Sequence, residues 1–158
     1  MKVAILCGGQ GTRIRDVADD IPKPMIPVGG YPILWHIMKY YSRWNHNKFV
    51  LCLGYKEQVI KDFFLNYEAH TRDFTISLGQ SKSIAYHSAH DESDWQITMA
   101  STGLQAMTGA RIKRVRHFLA GEENFLLTYG DGVGDIDIDK LIRFHLSHGK
   151  ALTVTGVR

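Results

Sequence analysis

An unbroken apolar run, Val3, Ala4, Ile5, Leu6 and Cys7, opens the chain and stops abruptly at Gly8 and Gly9. A run of this length without polar alternation fits a strand covered on both faces, the situation of a central strand in a parallel sheet. Parallel strands need crossover connections, and the remaining residues supply them. Pro22, Pro24, Pro27 and Pro32 punctuate a loop, after which Leu34, Ile37, Met38 and Tyr41 recur at helical spacing. Residues 49–53 form a second buried strand that Gly54 ends, and Val59, Ile60, Phe63 and Phe64 mark a second amphipathic helix. Residues 75–78, 84–87 and 95–99 are short strand-like pieces of an irregular or antiparallel middle section. Ile112, Val115, Phe118 and Leu119 define one face of a third helix. Its other face, Arg111, Lys113, Arg114 and Arg116, reads as solvated, with Arg111 within reach of a ligand. Residues 125–129 are a strand, and residues 138–148 a helix opened by Asp137 or Asp139 and closed by Gly149. Residues 152–157 are a last strand. This alternation predicts an α/β fold: an open, mostly parallel, Rossmann-like sheet with helices on both faces. Residues 1–158 read as one region, without repeat or linker, that is incomplete at its C-terminus.

Composition narrows the partners. The 158 residues are 44% hydrophobic and 22% charged, which excludes a disordered or fibrous chain. Nineteen Lys and Arg against sixteen Asp and Glu leave +3, too small a surplus to select nucleic acid or a membrane surface. The two cysteines, Cys7 and Cys52, read as reduced thiols of a cytoplasmic protein. The start carries no signal-peptide pattern, and no apolar run approaches the ~18 residues of a membrane span.

The chemistry concentrates in Cys7-Gly8-Gly9-Gln10-Gly11-Thr12-Arg13. Three glycines in four positions let successive N–H groups form a concave anion site, to which Thr12 adds a hydroxyl and Arg13 a bidentate charge. A tight turn leaving a strand would use the same glycines, and Arg13 favours the anion site. Ile14 stands where the third glycine of a dinucleotide fingerprint would fall, and the P-loop spacing is absent. Lys23, between Pro22 and Pro24, projects from a stiff segment and suits a charge that must be aimed at phosphate. Asp131, flanked by Gly130 and Gly132 after a strand, suits Mg²⁺ completed by phosphate oxygens. Asp135, Asp137 and Asp139 alternate as in a calcium loop, but Lys140 and Leu146 occupy the positions that need Gly and Glu. The i, i+3 pairs His87–His90 and His145–His148 read as solvated or half-buried rather than metal-binding. No nucleophile has an adjacent base, so covalent catalysis is not indicated.

L-C-G-G-Q-G-T-R at 6–13, K-P-M at 23–25 and T-Y-G-D-G-V at 128–133 together resemble the sugar-phosphate nucleotidylyltransferases. Further stretches, P-I-L-W-H-I-M-K at 32–39, G-Y-K at 54–56, M-T-G-A-R-I-K-R-V at 107–115 and G-D-G-V-G-D-I-D-I at 130–138, resemble the family branch that uses cytidine nucleotides and glucose. The resemblance implies transfer of CMP from CTP to glucose 1-phosphate, giving CDP-glucose and pyrophosphate for surface-polysaccharide synthesis, with Mg²⁺ as cofactor and a homo-oligomeric assembly. Uridylyl or thymidylyl transfer, and a non-catalytic nucleotide-binding module, are the competing readings. By analogy, Leu6, Cys7, Gly8, Gly9, Gln10, Gly11, Thr12 and Arg13 hold the nucleotide, and Arg13 and Lys23 stabilise phosphate charge. The same analogy makes Asp131 the metal ligand. Thr102, Gly103, Ala106 and Arg111 contact the nucleotide, and Gly130 lies close to substrate. The family pattern D-T-G-x-x-S-x-T-G-G-R stands here as S-T-G-L-Q-A-M-T-G-A-R, so Ser101, Ala106 and Ala110 depart from it. Loss of the hydroxyl at Ala106 removes a hydrogen bond worth about 0.5–1.5 kcal/mol. The family also continues well beyond residue 158, where most of its sugar site lies.

Overall fold

The computed structural model describes residues 1–9, 21–79 and 82–156. Strand β1 (Val3–Leu6) is buried along its whole length. A 3-10 turn (Lys23–Met25), the two-residue strands β2 (Pro27–Val28) and β3 (Tyr31–Pro32), and helix α1 (Ile33–Ser42) follow. Next come β4 (Lys48–Leu53), α2 (Glu57–Leu65), the short α3 (Tyr67–Thr71), and the hairpin β5 (Phe74–Ser77) and β6 (Ser83–Tyr86). The chain continues through β7 (Gln96–Ser101), α4 (Thr108–Leu119), β8 (Leu126–Tyr129) and α5 (Ile138–His148).

Four strands form one sheet in the order β7-β4-β1-β8, and every pair in it is parallel. The opening run is therefore central, as its uniform apolarity predicts. Alternation along β1 then sorts the core into two layers. Val3, Ile5 and Cys7 join Leu34, Ile37 and Met38 of α1 and Ile60 of α2 on one face. Ala4 and Leu6 join Val50, Cys52, Ala100 and the α4 residues Val115 and Leu119 on the other. Each fully buried Val, Leu or Ile contributes roughly 1.5–3 kcal/mol, so both helical layers are held mainly by apolar burial.

Several elements differ from expectation. β7 is a parallel strand of the main sheet, not part of an antiparallel middle section, because its six residues pair in register with all of β4. β5 and β6 do form an antiparallel hairpin. On α4 the sheet-facing residues are Arg111, Val115 and Leu119, while Phe118 is 38% exposed. Their i, i+4, i+8 spacing is the stripe that meets the sheet, which turns Phe118 sideways. Asp137 caps α5 by accepting from the Lys140 amide at 2.8 Å, and Gly149 closes it in the left-handed conformation at φ 63°. The expected strand at 152–157 is absent over 152–156, where Leu152 and Val154 are 70% and 77% exposed. Instead the Thr153 hydroxyl bonds His145 Nδ1 and His148 Nε2, both at 2.8 Å, folding the segment back on α5. That contact occupies one His pair. The other splits: His87 bonds Thr75, and His90 approaches Glu68. Among the described residues no group of three or more His, Cys, Asp or Glu could hold a metal ion.

Candidate functional site

A cleft of about 510 Å³ opens at the carboxyl ends of β1 and β8, where open parallel sheets place their ligands. Leu6, Cys7, Gly8 and Gly9 form one wall, and Lys23 and Pro24 of the 3-10 turn another. Ala106, Met107, Thr108 and Arg111 enter from the start of α4, and Tyr129 and Asp131 follow β8. The first turn and the Gly-flanked acid thus share one cavity. Gln10, Gly11, Thr12 and Arg13 lie outside the described residues.

Backbone bonds set this convergence. The Cys7 amide donates to Cys52 O at 3.0 Å, extending the ladder one residue beyond β1. The Gly130 amide donates to Leu6 O at 3.1 Å and brings the β8 loop alongside. A Cβ at Gly130 would lie 2.9 Å from Cys7 Sγ and 3.2 Å from both Leu6 O and Pro24 Cγ. Glycine is required there because three segments meet at that point, and the same meeting aims Asp131 at the cleft. Gly130 itself is buried behind the wall.

Arg111 is the second organiser. It is only 5% exposed, and its guanidinium donates to Leu53 O at 3.1 Å, Thr102 Oγ1 at 2.7 Å, Gly103 O at 2.9 Å, Gly8 O at 2.8 Å and Leu104 O at 3.3 Å. The loops after β1, β4 and β7 are therefore joined through one side chain. Burial, first among the influences on it, pulls its pKa below the usual arginine range. Arg111 thus stands apart from the solvated face of α4, at the cleft, as its separate reading as a ligand neighbour has it. Thr102 is 1% exposed and spends its hydroxyl on Leu53 O at 2.6 Å and on Arg111, so it supports the cleft from behind, while the exposed Gly103 contributes its carbonyl to Arg111.

Ser101 is engaged elsewhere. Its hydroxyl donates to Glu57 Oε1 at 2.7 Å and accepts from Lys61 Nζ at 3.1 Å. Lys61, then Ser101, hold the Glu57 carboxyl below the usual range. Tyr129, Met107, Thr108 and Pro24 line the cleft without having been singled out from the sequence. All four lie inside the quoted motifs, and that was the available signal.

Burial, then the negative charges of Cys52 and Asp131, push the Cys7 thiol well up. Burial raises Cys52 to about 11. Neither forms a nucleophilic thiolate near neutrality. Ellman's reagent at pH 8 is expected to find no fast-reacting thiol in the folded chain and two after denaturation. A fast native thiol would contradict the burial of Cys7.

A parallel sheet covered by helices on both faces, with a glycine turn, a lysine and a carboxylate at its carboxyl edge, defines an α/β nucleotide-binding fold of the nucleotide-diphospho-sugar transferase type. The chain belongs to the nucleotidyl transferase family, whose model matches residues 2–158. It is 46% identical over 156 residues to the glucose-1-phosphate cytidylyltransferase of Salmonella typhimurium, covering 99% of this chain and 60% of the relative. It is 42% identical over 141 residues to the D-glycero-alpha-D-manno-heptose 1-phosphate guanylyltransferase of Campylobacter jejuni, covering 89% of this chain and 52% of that one. HddC from Yersinia pseudotuberculosis, solved in complex with GMP-PN, superposes with a TM-score of 0.67 at 25% identity, over 92% of this chain and 54% of that one. The chain thus spans little more than half the length of these relatives. Among the described residues no helix is long and apolar enough to cross a membrane.

Proposed function

We propose that the chain is the nucleotide-binding portion of a cytidylyltransferase that joins CTP and glucose 1-phosphate into CDP-glucose and pyrophosphate. The observation that carries this reading is the single cleft uniting Gly8 and Gly9 with Lys23 and Asp131. In the reaction an oxygen of the sugar phosphate attacks the α-phosphorus of CTP. The bond to the bridging oxygen breaks and pyrophosphate leaves with its electron pair. Nothing covalent forms on the protein, whose work is alignment and neutralisation of charge. The glycine turn presents amides to the phosphates, and Lys23 and Arg13 hold their charge. Asp131 is the one carboxylate lining the cleft among the described residues. A single carboxylate completed by phosphate oxygens and water fits Mg²⁺, which when bound neutralises phosphate charge. Thr102, Gly103, Ala106, Arg111 and Gly130 belong to the nucleotide's surroundings in this reading, and the working assembly is a homo-oligomer.

Cytidine as the base is supported by the 46% relative, whereas the C. jejuni relative is named for guanylyl transfer. The test incubates the chain with each NTP, glucose 1-phosphate and Mg²⁺ and measures pyrophosphate release. Release with CTP well above the other nucleotides is expected, and equal release with all of them would end the cytidine assignment. The competing reading is a nucleotide-binding module without transfer activity. Saturable CTP binding without release would select it.

A further inference from the structure

Among the described residues β7 is an edge strand, paired with β4 alone. Its last residue, Ser101, lies opposite Leu53, and the next amide, of Thr102, donates to Leu53 O at 2.9 Å. A closed triangle of side chains holds this corner of the sheet. Glu57 Oε1, on the first turn of α2, accepts from Ser101 Oγ at 2.7 Å and from Lys61 Nζ at 2.7 Å, and Lys61 Nζ donates to Ser101 Oγ at 3.1 Å. As an i, i+4 pair on one helix, Glu57 and Lys61 would contribute little by themselves. Ser101 makes the pair a junction between elements, fastening a helix that has no side-chain N-cap to the end of an edge strand.

The triangle has room for one carboxylate. Ser101 uses its proton on Glu57 and a lone pair on Lys61, whereas an Asp there would set two acids against a single ammonium. Position 101 is also where the family pattern has Asp and this chain has Ser. Lys61 first, and then Ser101, hold the Glu57 carboxyl below its ordinary range, so the acid is charged at neutral pH. One acid has left the strand, and one arrives from the helix.

We propose that Glu57 is a positioning residue: it supplies from α2 the carboxylate that the family pattern carries at 101, and through Ser101 it fixes the end of β7 beside the cleft. The effect on ligand binding rests on reading the cleft as the nucleotide site. The effect on the strand end rests on the triangle alone.

E57Q, S101D and the E57Q/S101D double variant are compared with the wild-type chain by amide hydrogen exchange at Thr102 and by titration with CTP·Mg²⁺. Each single variant is expected to speed Thr102 exchange about threefold and to weaken CTP about threefold, E57Q by leaving Lys61 without its anion and S101D by crowding two acids onto it. The double variant returns one carboxylate to the strand and is expected within about 1.5-fold of wild type in both measurements. Losses that multiply in the double variant, to about ninefold, would overturn the proposal, as would single variants indistinguishable from wild type. Compensated exchange with CTP affinity untouched in every variant would leave Glu57 a tie of the fold and overturn its positioning role. A wild-type chain that binds no nucleotide would end the cytidylyltransferase reading instead, and the exchange cycle would then decide alone: compensation supports the relocated carboxylate and multiplication refutes it.

Discussion

Asp131→Asn is expected to lower pyrophosphate release by about 10²–10³-fold, the usual cost of removing one preorganised charge-stabilising group from a group-transfer site. Asparagine keeps the size and one oxygen of the side chain but removes the negative charge a hard divalent cation requires. The loss should therefore fall on metal-dependent steps: the rise of CTP affinity with Mg²⁺ flattens, while any metal-free CTP affinity stays or improves as repulsion with phosphate disappears. Titrating CTP binding against Mg²⁺ in both proteins checks this. Identical Mg²⁺ curves would remove Asp131 from the cation site and with it the chemical reason for its place in the cleft. The thermal stability of the variant should match wild type, because Asp131 is exposed and no described contact of the fold depends on its charge.

Gly54→Ala should destabilise the fold by about 3 kcal/mol, at the upper end for overpacking, because it also disturbs buried hydrogen bonds to a charged group. The new Cβ would lie 2.6 Å from Arg111 Nη1, 2.8 Å from Gly8 O and 3.0 Å from Gly8 Cα. The guanidinium cannot swing aside cheaply, since it is tied to three loops, and the Gly8 carbonyl is backbone in the turn after β1. Gly109→Ala is the contrast. It lies in α4 with nothing within 4 Å of its added Cβ, so the change should stabilise by about 0.5–1 kcal/mol. Urea denaturation of both variants tests the pair. A Gly54→Ala midpoint equal to wild type would show that the Arg111 junction yields easily.

What could be read beforehand follows from where the determining physics resides. β1, α1, β4 and α5 were legible because their signals are local: a continuous apolar run, helical spacing of Leu34, Ile37 and Met38, and Asp137 and Gly149 as caps. The membership of β7 was not, since residues 96–101 acquire their direction only by pairing with β4. The false strand at 152–157 has the composition of a strand, but over 152–156 no ladder partner lies among the described residues. In the cleft, Gly8, Lys23 and Asp131 were legible as chemistry, whereas their convergence needed the Gly130 junction. Arg111 was legible as a neighbour of the ligand but not as a buried residue. A charged residue among other cations reads as surface, and only the carbonyls of Leu53, Gly8 and Gly103 reveal why it is buried.

One phenol limits how far the acid can travel. The Tyr40 hydroxyl accepts from the Ile136 amide at 2.8 Å and donates to the Ile136 carbonyl, knotting α1 to the stretch that follows Asp131. At its other end that stretch is anchored by the pairing of Tyr129 with Leu6. The seven residues from 130 to 136 span at most about 25 Å when drawn straight. Held at both ends, with Asp131 only two residues past the Tyr129 anchor, the stretch keeps the carboxylate at the mouth of the cavity.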